Sequence, residues 1–145
     1  MNSADLSKKF RETLGLAYQR VNALQRDEKR RFGVSLSRCV TLETLLREGP
    51  LPVNELASRL GLDASTVTRS IDGLVREALV RRTRDERQDR RRVFIALTAR
   101  GRTLAQKLEQ CADAYSEQIL ARIPRERRED VLYALGVLVK AVDDL

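Results

Sequence analysis

The tripeptide Gly61-Leu62-Asp63 separates two short amphipathic runs, and that spacing constrains the fold more than any other feature of the chain. Before it, Leu56, Ala57 and Leu60 fall on one face of a helix. After it, Val67, Ile71, Leu74 and Ala78 recur at spacings of four, three and four, which makes one inward stripe. Gly61 suits the residue just past a helix end because it accepts positive φ, and Asp63 can cap the next helix by accepting backbone N–H bonds. The connection is about three residues long, as a helix-turn-helix requires.

The other side of the second helix carries Ser65, Thr66, Thr68 and Arg69 in its first two turns, with Asp72 and Arg76 further along. Hydroxyls bond phosphate oxygens or base edges, and an arginine fork can take guanine O6 and N7 together. Arg69 is therefore the expected base reader. Alone, this pattern also fits an ordinary amphipathic helix with a solvated face. The segment after it favours a polyanion. From Arg81 to Arg92 there are seven arginines (81, 82, 84, 87, 90, 91 and 92) against Asp85, Glu86 and Asp89, a net of +4 in a chain whose total is +7. Leu79-Val80-Arg81 and Val93-Phe94-Ile95-Ala96-Leu97 flank these charges with branched, β-prone runs, so a two-stranded wing with a basic tip is predicted beside the helix.

Glu55-Leu56-Ala57, Asp63-Ala64-Ser65-Thr66-Val67-Thr68-Arg69, Asp89-Arg90-Arg91 and Leu97-Thr98-Ala99-Arg100-Gly101 resemble, in order and spacing, the MarR family of bacterial transcriptional regulators. The resemblance covers nearly the whole chain. It implies a mainly α fold with a small β-wing, a winged helix-turn-helix core at about 35–97, and dimerisation helices at about 4–30 and 98–145. It also implies that Ser65, Thr66, Thr68 and Arg69 lie on the recognition helix. Asp89 would brace the wing, Arg91 would reach into a narrow A·T-rich minor groove, and Arg87 and Arg90 would make second contacts. Two departures stand out. Pro52 occupies a position where many relatives carry a capping hydroxyl, though proline can still start a helix. The wing is richer in arginine than the family pattern, which favours tighter nonspecific binding.

Composition bounds the alternatives. A chain of 145 residues with 34% charged content fits one domain able to bury a core without metal or disulfide staples. The absence of histidine removes Ser-His and Cys-His pairs, there is no Gly-rich phosphate loop, and Asp143-Asp144 reads as a solvated tail, so no enzyme is expected. Cys39 and Cys111 have no zinc-ligand spacing, and no cofactor or metal is expected. The segment from Met1 to Arg11 lacks an apolar run, and no stretch approaches a membrane span, so a cytoplasmic protein with no membrane partner is expected.

Outside the motif, Leu6, Phe10, Leu14, Ala17, Val21 and Leu24 form one seam. Leu104, Leu108, Cys111, Tyr115 and Ile119, on a helix capped by Thr98, form a second, and Val131, Leu135, Leu138 and Val142, entered through Pro124, a third. This is more apolar stripe than a small core can cover, which points to a homodimer. Its two recognition helices would meet successive major grooves of double-stranded DNA about 34–36 Å apart, on a pseudo-palindromic operator. The alternatives are a winged-helix protein-interaction module, or an architectural protein that binds DNA without operator specificity. The family resemblance further implies repression relieved by a small anionic or phenolic effector held between the dimerising helices and the winged core. Tyr18, Arg38, Cys39 and Tyr115 are the residues expected to line that pocket. Packing accounts for the same residues: Tyr18 and Tyr115 sit near apolar seams, and Cys39 shares a face with Leu36, Leu42 and Leu46.

Overall fold

A computed structural model describes residues 2–84 and 92–145. The elements run α1 (Ser3–Arg31), α2 (Leu36–Glu48), β1 (Leu51–Pro52), α3 (Val53–Leu60), α4 (Ala64–Arg76), β2 (Val80–Arg84), β3 (Val93–Leu97), α5 (Ala99–Arg122), a 3-10 turn (Arg125–Arg127) and α6 (Arg128–Asp143). Two compact units result, Met1–Glu109 and Gln110–Leu145.

In the larger unit the two expected stripes close on each other. Leu56 and Ala57 of α3 and Val67, Ile71 and Leu74 of α4 are buried with Cys39, Leu42 and Leu45 of α2 and with Val80 and Ile95 of the sheet. The fully buried Leu and Ile side chains each contribute about 1.5–3 kcal/mol. The turn is built as its residues dictate. Gly61 takes φ +61°, and the N–H of Leu62 bonds the Ala57 carbonyl at 3.1 Å. The Asp63 carboxylate caps α4 through the Thr66 N–H at 2.8 Å.

Two expectations from the stripe pattern fail. Ala78, predicted to continue the inward face of α4, is exposed, because the helix ends at Arg76 and Ala78 adopts φ +56°. Its N–H bonds Val75, and the N–H of Leu79 reaches back to Leu74 at 2.9 Å. That is a Schellman closure with alanine where glycine is usual, and it turns the chain straight into β2. Leu36, grouped with Cys39 on α2, is exposed, whereas Cys39 is buried and its Sγ donates to Glu43 at 3.4 Å.

The sheet is antiparallel in the order β1-β3-β2. Val80 pairs with Leu97, Arg82 with Ile95 and Arg84 with Val93, while Pro52 pairs with Phe94 on the far edge. The two-residue strand β1 is an element the sequence reading did not anticipate. Pro52 tolerates it because an edge position leaves its missing N–H without consequence. Pro52 is also the residue before α3 and makes no side-chain cap bond.

The seam on α5 is partly covered, with Leu108 in the core and Leu104 packed against it, whereas the seams on α1 and α6 are largely exposed. On α1, Leu6, Phe10, Leu14, Val21 and Leu24 are all exposed. In the smaller unit α6 has no buried residue; of its seam, Leu135 (52%) and Val142 (55%) are exposed, and Val131 and Leu138 are half-buried. Among the described residues, no helix is long and apolar enough to cross a membrane.

Candidate nucleic-acid interface

Helix α4 has a fully committed inner side. Its outer stripe, at spacings of four, three and four, is Ser65, Arg69, Asp72 and Arg76, and all four are exposed. Thr68 is exposed on the flank, and Thr66 is half-buried on the opposite flank.

The hydroxyls expected to reach outward are engaged with their own helix. Ser65 Oγ donates to the Asp63 carboxylate, and Thr66 Oγ1 donates to its other oxygen at 2.6 Å. Thr68 Oγ1 donates to the Ala64 carbonyl at 2.7 Å. With their hydrogens committed, these groups offer lone pairs, which suit a base amino group better than a phosphate oxygen. Arg69 and Arg76 have no hydrogen-bond or ion-pair partner among the described residues, so they carry the stripe's donors.

The bonds from the Ser65 hydroxyl first, then from the Thr66 hydroxyl and the Thr66 N–H, hold the Asp63 carboxyl well below the usual carboxylate range. A depressed folded-state pKa means that the cap contributes fully above the unfolded value of about 3.9 and loses its contribution as pH falls through the folded value. Asp63→Asn keeps an acceptor oxygen but cannot titrate. Melting midpoints recorded from pH 5 down to pH 2 should therefore fall less steeply in Asp63→Asn than in the unsubstituted protein. Parallel curves would show that the cap does not titrate with folding.

Beside α4 the β2–β3 hairpin exposes Arg81 and Arg84. Two further wing arginines are tied to the helix-turn-helix. Arg82 Nη2 bonds Asp72 Oδ1 at 2.6 Å. Arg92 Nη2 bonds Glu55 Oε1 of α3 at 3.1 Å, with its guanidinium 5.8 Å from the Phe94 ring centroid. Strand β2 and the residue that leads into β3 are thus strapped to the helices, an arrangement the charge count did not separate from a free basic patch. The expected wing-tip contacts Arg87, Asp89, Arg90 and Arg91 lie outside the described residues.

A third tie joins α2 to α4. Arg38 Nη1 bonds Glu77 Oε1 at 2.5 Å, and the guanidinium lies over Gly73, where an added Cβ would stand 1.9 Å from Arg38 Nη2. Of the pocket residues expected in the larger unit, Arg38 and Cys39 do not share the cavity that Tyr18 lines. Tyr18, 69% exposed, lines that cavity of about 480 Å³ with Asn22, Arg26, Arg30 and the start of α2. Cys39 belongs to the core. Tyr115 is half-buried on α5 in the smaller unit.

Residues 34–93 match the MarR family model, a span that holds α2, the helix-turn-helix and the wing. A curated relative, the HTH-type transcriptional repressor NicR of Pseudomonas putida, is 27% identical over 93% of this chain and 85% of its own. The HTH-type transcriptional regulator MgrA of Staphylococcus aureus is 24% identical over 79% of this chain and 76% of its own. Among solved structures, a MarR family protein from Bacillus stearothermophilus superposes with a TM-score of 0.86 at 24% identity, over 99% of both chains. FabT of Streptococcus pneumoniae, solved in complex with DNA, superposes at 0.81 and 24% identity over 95% of this chain and 98% of that one. A winged helix-turn-helix with capped α4 and strapped wing is thus matched by the family's own model, so residues 34–93 form a MarR family domain, and the chain along most of its length is similar to HTH-type transcriptional regulators.

Proposed function

We propose that this protein is a DNA-binding transcriptional regulator, not an enzyme, and that it binds an inverted-repeat operator as a homodimer through α4 and the β2–β3 wing. The observation that carries this reading is the outer stripe of α4. Arg69 and Arg76 stand without partners among the described residues, on a helix whose inner side is core, with Arg81 and Arg84 exposed beside them. A relative named as a repressor and a fold neighbour solved with DNA support it.

Residues 1–145 act as one MarR-type unit, with about 35–97 as the reading core and about 4–30 and 98–145 as dimerisation helices. Exposed seams on α1 and α6 support a second copy as their cover. Ser65, Thr66, Thr68 and Arg69 serve the major groove, Asp89 and Arg91 the wing's minor-groove contact, and Arg87 and Arg90 the adjoining phosphates. The effector is a small anion or phenol. Tyr18, Asn22, Arg26 and Arg30 around one cavity suit such a ligand, and Arg38, Cys39 and Tyr115 are the other residues assigned to its response. Such a regulator works where the chromosome is, in the cytoplasm.

Selection from a pool of random duplexes at about 150 mM salt, where nonspecific contacts are weak, tests the reading. An enriched inverted repeat with half-sites one helical turn apart, or a multiple of it, is expected. Binding without enrichment would replace the regulator by an architectural protein, and no binding at all by a protein-interaction module.

A further inference from the structure

Asp72 stands in the middle of the reading stripe, three residues after Arg69 and four before Arg76. At those spacings a carboxylate and a guanidinium on one helix face reach each other. An unpaired carboxylate there would harm a DNA reader in two ways. It would repel phosphates, and it would offer Arg69 an intramolecular partner in place of a base. Neither happens, because Arg82 Nη2 donates to Asp72 Oδ1 at 2.6 Å.

Local geometry delivers Arg82 to that point. The Schellman closure at Ala78 turns the chain directly from α4 into β2. Buried Val80 then fixes which face of β2 meets the core, and Arg82, two residues on and opposite buried Ile95, shares that face. Arg81, on the other face, and Arg84, nearer the tip, have no ion-pair partner among the described residues.

We propose that Arg82 is a positioning residue for DNA recognition, which takes up the Asp72 carboxylate and thereby leaves Arg69 free to bond a base. This rests on the DNA-reading role proposed for α4. Two other roles for Arg82 make different demands: a direct phosphate contact needs no Asp72, and a mere strut for the wing needs both partners equally.

The test uses a duplex selected from the random pool by the unsubstituted protein, together with an unrelated duplex of equal length. Affinity for both is measured over a salt series for Arg82→Ala, Asp72→Asn and the double variant. An ion pair this open to solvent adds little to stability, so all of them fold. In Arg82→Ala the freed carboxylate captures Arg69, and affinity for the selected duplex falls about tenfold while the unrelated duplex changes far less. Asp72→Asn serves as the reference for the double variant: with no carboxylate left to capture Arg69, adding Arg82→Ala to it costs far less than the roughly tenfold that Arg82→Ala costs alone. A loss that Asp72→Asn does not relieve, with the salt slope lowered by about 1 on both duplexes, would mean that Arg82 touches phosphate itself and would overturn the proposal. Equal damage from Asp72→Asn alone would overturn it in favour of the strut. If the unsubstituted protein selects no sequence, the DNA reading and this assignment fall together; if it selects one and Arg82→Ala binds it undiminished, only the assignment falls.

Discussion

Replacing Gly101 by alanine is expected to destabilise the winged-helix unit by about 3 kcal/mol or more, lowering Tm by roughly 10 °C at fixed protein concentration. Gly101 lies in the first turn of α5, where an added Cβ would stand 1.8 Å from the Leu79 carbonyl oxygen and 2.8 Å from its carbon. That carbonyl has nowhere to go. It accepts the Thr98 N–H at 3.1 Å, and the Leu79 N–H is held by Leu74 at 2.9 Å. Thr98 fixes the joint from the other side: its hydroxyl donates to the Ala78 carbonyl at 2.6 Å and accepts the Gly101 N–H at 3.0 Å. Backbone meets backbone here, so relief requires the start of α5 to lift from Leu79, just past the end of α4. Gly73→Ala is the informative contrast. Its Cβ meets the end of the Arg38 side chain, which can swing away at the loss of a partly exposed ion pair, while alanine favours the helix by about 1 kcal/mol. Melting curves should place Gly73→Ala near the unsubstituted protein, with Gly101→Ala far below both. A Gly101→Ala protein that melts normally would mean that α5 is not seated on Leu79.

The features legible in the sequence were those decided by local chemistry. Gly61 needs left-handed backbone, Asp63 is a cap, and Val67, Ile71 and Leu74 share one face of any helix drawn through them, so the helix-turn-helix followed without tertiary information. The features missed depend on what lies across space. Ala78 fits the spacing of the stripe, but whether a helix continues one more residue is settled by the Schellman bonds beyond it. The pairing of Leu51–Pro52 with Ile95 and Phe94 is a long-range match between a two-residue edge and a wing strand, and no periodicity announces it. The arginines show the same limit. A count of charges treats the described wing arginines 81, 82, 84 and 92 alike, yet Arg82 and Arg92 are bound to Asp72 and Glu55, which leaves a smaller basic footprint than the count suggests. The apolar seams of α1 and α6 were visible as seams, but periodicity alone does not say whether a seam is buried or, as here, largely exposed.

Arg69→Ala should sharply reduce preference for the operator while leaving much of the binding to unrelated DNA intact. An arginine fork on guanine O6 and N7 contributes about 1–3 kcal/mol of discrimination, which corresponds to about 5- to 150-fold in the ratio of selected to unrelated affinity. Arg69 is placed for that role by exclusion as much as by position. On the same stripe Asp72 is occupied by Arg82, the Ser65 hydroxyl is held by Asp63, and Thr68 on the flank is bonded to Ala64, so Arg69 is the donor nearest the start of α4 with no partner among the described residues to give up on binding. Arg84→Ala supplies the comparison, because an exposed arginine on the wing strand has phosphates rather than base edges as its natural partners. It should weaken the selected and the unrelated duplex alike and lower the salt slope by about 1, whereas Arg69→Ala should leave the slope nearly unchanged and flatten the selectivity. In a homodimer each substitution acts in both half-sites, so the loss of selectivity for a full inverted repeat approaches the square of the half-site value. Titration of half-site and full-site duplexes with each variant reads these quantities directly. Selectivity that survives in Arg69→Ala would move the reading function from the outer stripe of α4 to the wing.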